Sequence, residues 1–572
     1  MVDMKAQVVA MLSELTDLTV LDEGSAQSFR ARAYENAMHE IQGLSGDITT
    51  MTKKDLMALP GIGKSTADKI LSFIKTGEVE KLEKLRKKYP AEFLELSHIP
   101  GLGPKTLIRL RDELSIHNVS DLRSALKAKK IRTLKGLGAK VEENLIKSVE
   151  RLGHHGKDKR TPIADALPIA NHMVSQVLAI KGVEKAQYCG SLRRFRDTIA
   201  DIDIVVAASK RDGIMNSFTE LPDVAEVIGT GETKTSILTK GNLQVDLRIV
   251  SPNEFGAAIL YFTGSKAHNI KIRQLAIQKG WTLNEYGLTD VETGKIVAQK
   301  TEKEIYAALD LPWIAPPLRE DQGEVEADKK SLPKLQVTDI RGDLHMHSDI
   351  SGDSSNKIKD IVSAAEKRGY EYIAITDHGP NLDTSGATKS AFSSTQKKIK
   401  ALTPKSLKVL TGCELNIGPE GELDFDKKYR GSFDWCLASI HDHFDLPAEK
   451  QTKRIIKAMQ DPSVRAIGHL TARRLGKREP LTIDVDAVFS EAERTNTAIE
   501  INLVLSRLDP PSDMLRMARN RDVLFVLNSD AHTIEDLNRP EIGINHALRG
   551  WVDKARVINT WPWKKFEEWL KA

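Results

Sequence analysis

Two sets of residues in this chain have the types and spacing to hold divalent cations, and their chemistries differ. GSLRRFRDTIADIDIVV (residues 190–206) joins a Gly-Ser turn, an arginine pair and an Asp-x-Asp leading into an apolar run. On a strand, residues i and i+2 share a face, so Asp201 and Asp203 project together. LQVDLRIV supplies Asp246 on a second predicted strand. Three carboxylates with open coordination positions suit Mg²⁺, which keeps waters and takes substrate phosphates. Two such ions about 4 Å apart stabilise both the attacking and leaving oxygens of an in-line displacement. An Asp-x-Asp alone also fits a solvated strand end. Gly190, Ser191 and Arg194 ahead of it add backbone donors and a cation for a triphosphate.

The second set is rich in histidine. GDLHMHSDISGD (342–353) places His345 and His347 on one strand face, with Asp353 following. His378 in AITDHGP, Glu414 in TGCELNI, His441 in ASIHDHF, His469 in AIGHL, and Asp530 with His532 in NSDAH complete nine candidates. Scattered histidines are ordinarily core or surface residues. Nearly all of these fall at the ends of apolar strands, where ligands gather in parallel α/β sheets and barrels. Imidazole with carboxylate suits Zn²⁺, Mn²⁺ or Fe²⁺, and nine ligands are too many for one ion. Two or three are expected.

The elements that position these sets read as several domains, as 572 residues require. Residues 1–160 read as helices with Gly-containing turns. Strand character appears at 183–206 and 243–250, and a helical, aromatic-bearing segment runs to about Trp313. IAPPLREDQGEVEADKKSLPKL reads as a linker. Beyond it YIAITDH, LKVLTGCEL, CLASIH, RAIGHL, AIEINL and VLFVLNSDAH alternate with helices, which predicts a parallel α/β sheet or barrel. No run of 18 apolar residues spans a membrane, and three scattered cysteines give no disulfide framework. A cytoplasmic, nucleoid-associated monomer is expected.

LPGIGKSTADKI, IPGLGPKTLIRL and LKGLGAKVEENLI repeat one turn followed by an amphipathic helix. Gly61, Gly63, Gly101, Gly103, Gly136 and Gly138 free the backbone to present main-chain donors to a phosphate, or merely build tight corners. Residues 51–160 hold 25 Lys and Arg against 14 Asp and Glu, which favours the phosphate. These turns resemble helix-hairpin-helix motifs that grip DNA backbones.

The Gly-Ser turn, its eleven-residue spacing to Asp201, YFTGSKAHNIKIR (261–273) and LNEYGL (283–288) resemble an X-family DNA polymerase. The resemblance implies an N-terminal 8-kDa-like helical domain (1–85), a fingers-like hairpin region (86–155), an α+β nucleotidyltransferase palm (156–258), a thumb (259–316) and the linker (317–337). It implies gap filling in DNA repair on gapped or primed DNA with dNTPs. Asp201, Asp203 and Asp246 would bind Mg²⁺ or Mn²⁺, with Asp246 activating the primer 3′-hydroxyl. Ser191 and Arg194 would hold the triphosphate, Tyr261 and Phe262 the sugar, Asn269 the base edge and Arg273 the template side, with Gly264 in the same substrate-binding segment. Phe195 and Ala200 stand where vertebrate relatives usually have glycine, and Lys266 where they often have an acid. Lys69 occupies the position of the Schiff-base lysine in relatives that excise 5′-deoxyribose phosphate.

The ordered histidine set resembles a PHP domain over 338–572, which implies a distorted α/β barrel and metal-dependent phosphoester hydrolysis. Family members commonly read Ser-Asp-Gly where this chain has SDISGDSS. Either Asp353 reaches the metal through a one-residue insertion, or that ligand is lost, with Asp349 a weaker substitute. His443 would lie behind the ligands or face substrate. Together the two resemblances imply a repair polymerase with a 3′→5′ exonuclease and an abasic-site endonuclease. One rival is a DNA-binding protein with relic centres. Another makes the C-terminal domain a phosphatase for a small molecule or pyrophosphate.

Overall fold

The computed structural model describes the chain except residues 1–3, 26–27, 44–47, 60, 100–101, 135, 152–159, 403 and 405. It divides into two compact units, Met1–Arg160 and Thr161–Ala572.

The described part of the first unit is helical. Its long opening helices, Met4–Glu23 and Phe29–Gly43, pack Leu12, Leu15, Ala37 and Ile41 into a core shared with the hairpins. The three repeated turns have one geometry. Ile62 N donates to Leu59 O, Leu102 N to Ile99 O and Leu137 N to Leu134 O, at 3.0–3.2 Å. Helices Lys64–Thr76, Pro104–Leu114 and Ala139–Arg151 follow. Gly61 and Gly136 sit at φ +76° and +86°, where an L side chain is strained. Gly101 lies outside the described residues.

The second unit begins with a two-residue ribbon, β1 (Thr161–Pro162) against β3 (Thr198–Ile199). The palm is a five-stranded sheet of β2 (Lys185–Tyr188), β4 (Asp201–Ala207), β5 (Val224–Thr230), β6 (Lys234–Thr239) and β7 (Gln244–Val250), in the order β2-β4-β7-β6-β5. The segment expected to be helical up to Trp313 holds the helices Phe255–Thr263, Lys266–Gln278 and Glu302–Ala308, and between the last two a small antiparallel sheet that was not expected, β8 (Trp281–Leu283), β9 (Leu288–Asp290) and β10 (Ile296–Ala298). Three-residue strands show too little alternation to read.

Residues 317–337 hold no strand or α-helix, yet they are pinned. Leu318, Val325, Leu332 and Leu335 are buried, and Glu324 Oε1 lies 2.7 Å from His268 Nδ1.

Seven strands follow in sequential parallel order: β11 (Gly342–Asp343), β12 (Tyr372–Ile375), β13 (Lys408–Asn416), β14 (Trp435–Ser439), β15 (Val464–Ile467), β16 (Ala498–Asn502) and β17 (Phe525–Asn528). The ends nearly meet. Met346 bridges Ala531 in parallel sense, and His347 N donates to Ala531 O at 2.9 Å. Tyr372, Trp435, Leu437 and Val526 join a core with Phe566 of the last helix. Tyr372, the first residue of β12, stacks on Phe566 at 4.5 Å, so that helix closes the end opposite the strand C-termini.

Candidate metal centres

The palm centre follows from strand register. β4 and β7 run parallel with Asp203 opposite Asp246, while Asp201 lies two residues back, opposite Gln244. Gly190 approaches from the turn after β2. It sits at φ +63°, and a Cβ there would lie 2.8 Å from Asp203 Oδ2, so only glycine fits. Burial, then Asp201 and Asp246, push the Asp203 carboxyl up to about 7. A cation shared among the three would relieve that repulsion, so the residues fit the divalent ions the sequence implies. Asp246 differs. Burial raises its carboxyl, but hydrogen bonds from Lys234, Gln244 and Ser236 more than offset this and hold it below the usual range. Lys234 Nζ stands 2.5 Å away and Gln244 Nε2 2.8 Å.

Around it lie the substrate candidates. Ser191, half-buried, opens the short turn with Gly190. Arg194 Nη1 donates to Thr263 O (2.6 Å) and Nε to Glu320 Oε1 (3.0 Å). Gly264 passes close to that guanidinium, since a Cβ would come within 3.2 Å of Nη1. Tyr261 and Phe262 end the helix Phe255–Thr263 as an edge-to-face pair. Tyr261, Asn269 and Arg273 line one hollow with Asn284, and Asn269 Nδ2 donates to Tyr261 O (2.7 Å). Phe195 occupies φ +58°, the left-handed region that favours glycine. Ala200 and Lys266 are exposed.

At the barrel end all nine histidine and carboxylate candidates converge. His347, Asp353, His378 and His532 gather in one group, His345, His347 and Glu414 in a second, and His378, Glu414 and His441 in a third. His469 Nε2 reaches Glu414 Oε1 at 3.0 Å, and Asp530 Oδ1 lies 3.2 Å from His347 Nε2 and 3.4 Å from His345 Nε2. Glu414 therefore links the groups. His378 Nδ1 lies 2.7 Å from Glu414 Oε2 and His441 Nε2 3.3 Å from Glu414 Oε1, buried nitrogen and oxygen atoms that face one another as ligand atoms around a shared cation would. The set fits two or three ions. Of the two readings of the insertion, the geometry brings Asp353 into the cluster: its Oδ2 lies 3.2 Å from His378 Nε2 and 3.5 Å from His532 Nε2. Asp349 and His443 are exposed and belong to none of these groups.

The residues that aim these ligands escaped the sequence reading. Glu500 on β16 is fully buried; its Oε1 meets His345 Nδ1 at 2.6 Å, and its Oε2 accepts from His469 N at 2.7 Å. Asn528 and Asn502 brace the same carboxylate at 3.0 and 3.1 Å. Asn416 Oδ1 fixes His441 Nδ1 at 2.6 Å. A carboxylate on Nδ1 sets the tautomer and turns Nε2 toward the cluster. The available signal was AIEINL, where Glu and Asn interrupt a strand otherwise apolar on both faces.

In the helical unit, a Cβ at Gly63, Gly103, Gly136 or Gly138 would meet nothing within 4 Å. Packing inside the unit therefore does not demand glycine there, which weighs against corners built only for tightness. Lys69 Nζ donates to Ser65 Oγ (2.7 Å) and O (3.1 Å), beside the Tyr34 ring. Burial, aided by Lys81 and Arg30, holds its amine below the usual lysine range despite Asp68.

Comparison with known proteins agrees with this geometry. Residues 258–320 match the DNA polymerase beta thumb family and 343–503 the PHP domain family. Residues 4–79 match a helix-hairpin-helix domain and 93–151 a SAM-like helix-hairpin-helix tandem. The DNA polymerase/3'-5' exonuclease PolX of Bacillus subtilis is 36% identical over 549 residues, 95% of each chain. A probable phosphatase of Clostridium acetobutylicum is 29% identical over 248 residues, 40% of this chain and 94% of that protein. One from Thermoanaerobacter sp. is 31% identical over 242 residues, again 40% and 94%. Among the described residues no helix is long and apolar enough to cross a membrane.

Proposed function

The chain belongs to the bacterial family X DNA polymerases that carry a PHP domain, and from that premise we propose that it fills short gaps at the palm and trims 3′ ends at the barrel. The observation that carries the synthetic half is the Asp203–Asp246 register with Gly190 against Asp203. Asp201, Asp203 and Asp246 would hold Mg²⁺ or Mn²⁺, which when bound neutralises phosphate charge and aligns an in-line displacement. Asp246, ionised at neutral pH, accepts the hydrogen bond of the primer 3′-hydroxyl and orients it toward the α-phosphate. Ser191 and Arg194 bind the triphosphate. Tyr261 and Phe262 form the wall against the sugar, Asn269 faces the base edge and Arg273 the template side.

At the barrel the nine ligands would hold two or three Mn²⁺, Zn²⁺ or Fe ions, which supply Lewis acidity and a water acidified into the neutral range. Glu500 and Asn416 orient His345 and His441 there. The hairpin glycines carry the DNA backbone, and Lys69, with its lowered pKa, is the amine for Schiff-base attack on a 5′-deoxyribose phosphate. The shorter relatives, probable phosphatases, favour one second reading, a barrel that hydrolyses phosphate monoesters.

One set of assays tests these readings. Gapped DNA with dNTPs should be extended, and a 3′-labelled primer should release label faster than pyrophosphate or small phosphate monoesters are hydrolysed. Preference for the monoesters would assign the barrel to phosphatase chemistry. Borohydride should trap the enzyme on an incised abasic site, and Lys69→Ala should abolish trapping. Undiminished trapping in that variant would remove Lys69 from the chemistry.

A further inference from the structure

The carboxylate that holds Arg194 is shared across the palm and the PHP domain. Glu320, the last residue of the thumb match, is largely buried, and its Oε1 accepts from Arg194 Nε (3.0 Å) and from Arg549 Nη1 (2.8 Å). Arg549 ends the helix Pro540–Arg549 of the PHP domain, and the same Nη1 donates to the Arg194 carbonyl (3.1 Å). Arg196 stands farther off, 3.7 Å from Oε2, and is half exposed. Burial raises the Glu320 carboxyl, but Arg549 first and Arg194 next more than offset it. Three guanidiniums therefore surround one buried acid.

We infer that Arg549 is a positioning residue for nucleotide binding, keeping Glu320 paired so that Arg194 can leave it for the incoming triphosphate. The inference rests on the proposed role of Arg194. A buried carboxylate left without a partner costs far more than a single exchanged hydrogen bond returns. With Arg549 in place, Arg194 moves from carboxylate to phosphate and Glu320 keeps a charge-assisted partner. Without Arg549, Arg194 is the cation hydrogen-bonded to Glu320 while Arg196 stands 3.7 Å off, and nucleotide binding must break the hydrogen-bonded pair. The backbone of the turn has separate anchors, since Arg473 Nη1 binds Asp197 Oδ2 (2.8 Å) and Ile163 N donates to Asp197 O (2.9 Å). Loss of Arg549 thus alters the charge partner and leaves the turn held.

The test is steady-state extension of gapped DNA by the full chain. Arg549→Met, which keeps the apolar stem, should raise KM for dNTP by about tenfold, the scale of one unshared charged hydrogen bond, with kcat little changed. Exonuclease activity and the melting temperature in the same preparation report whether the variant is folded; if it is not, Arg549→Lys replaces it and should raise KM by a smaller factor. Glu320→Gln should leave KM at or below that of the parent and should suppress the defect of Arg549→Met in the double variant. A clamp that is merely structural predicts the reverse, a raised KM in Glu320→Gln and no suppression, and that result would overturn the inference. Arg194→Lys is the control. If it raises KM while Arg549→Met does not, the inference fails and the triphosphate assignment stands; if Arg194→Lys leaves KM unchanged, both fail.

Discussion

Glu500 shows how one side chain sets the chemistry of several others. It is buried in the middle of β16 and holds both the His345 ring and the His469 backbone. Losing such an outer carboxylate typically costs roughly 10–100-fold in metal affinity. Glu500→Gln should therefore shift the Mn²⁺ concentration for half-maximal exonuclease activity upward by about that factor, with activity recovered at saturating Mn²⁺. Extension at the palm should keep its own metal dependence. An unchanged Mn²⁺ titration of trimming would show that the His345–Glu500 contact does not orient a ligand. The clustered histidines and carboxylates were legible from sequence because nearly all fall at the ends of apolar runs, and with a one-residue insertion before it Asp353 still stands beside His378 and His532. Glu500 was not, because a buried acid in a strand reads the same whether it braces a ligand or caps a turn. Only its partners distinguish the two, and they lie 31 and 155 residues away.

At the scale of elements, two joints deserve separate predictions. The first is the palm–thumb joint, where Glu302 opens the helix Glu302–Ala308 and binds Arg193 (2.7 and 2.9 Å) and Arg319 (2.6 Å). Burial raises the Glu302 carboxyl, but Arg319 and Arg193 outweigh it and bring it to about 2 from 4.5. A depressed folded-state pKa gives stability that is present above the unfolded value and lost as pH falls through the folded one. The difference corresponds to roughly 3 kcal/mol. Glu302→Gln should lower the melting temperature at pH 6–7, and the gap to the parent should narrow from about pH 4.5 toward pH 2. A gap independent of pH would mean that shape, not charge, holds the joint. The second concerns the hairpins, where Gly63, Gly103, Gly136 and Gly138 face open space. Binding of gapped DNA should be nearly indifferent to sequence, with log affinity falling against log salt at about −0.9 per phosphate contacted on duplex. A flat salt response would return those turns to a packing role. The barrel strands were readable because parallel strands, buried on both faces, appear as unbroken apolar runs. The strands β5 and β6 and the thumb sheet were not. VAEVIGTGETKTSILT is largely polar on an exposed sheet edge, and three-residue strands carry no measurable period.

For the molecule as a whole, the question is whether two centres in one compact unit act as two enzymes. The barrel's Arg473 meets Asp197 and its Arg549 meets Glu320 beside Arg194, while none of the barrel groups among the described residues includes Asp201, Asp203 or Asp246. Asp201→Ala with Asp203→Ala removes two of the three palm carboxylates and leaves Asp246 paired with Lys234. Extension should fall by about three orders of magnitude, because charge neutralisation and alignment supply most of the catalysis in phosphoryl transfer. Trimming of a 3′-labelled primer should persist. His345→Ala with His347→Ala empties two positions of the cluster around Glu414, and trimming should vanish while extension survives. Longer products should then accumulate, since nothing removes them. Mn²⁺ should favour trimming over extension more than Mg²⁺ does, because imidazole ligands prefer the softer ion. Both pairs of variants need a melting curve, since the histidines are buried and their loss takes the His345 ring from Glu500 and leaves Asp530 the more distant Arg507 and His532, each at 3.7 Å. If the aspartate variant melts like the parent and yet loses both activities, one centre performs both reactions and the barrel serves the palm. Survival of trimming in that variant makes the barrel an independent hydrolase whose product, a shortened 3′ end, is the substrate of its neighbour.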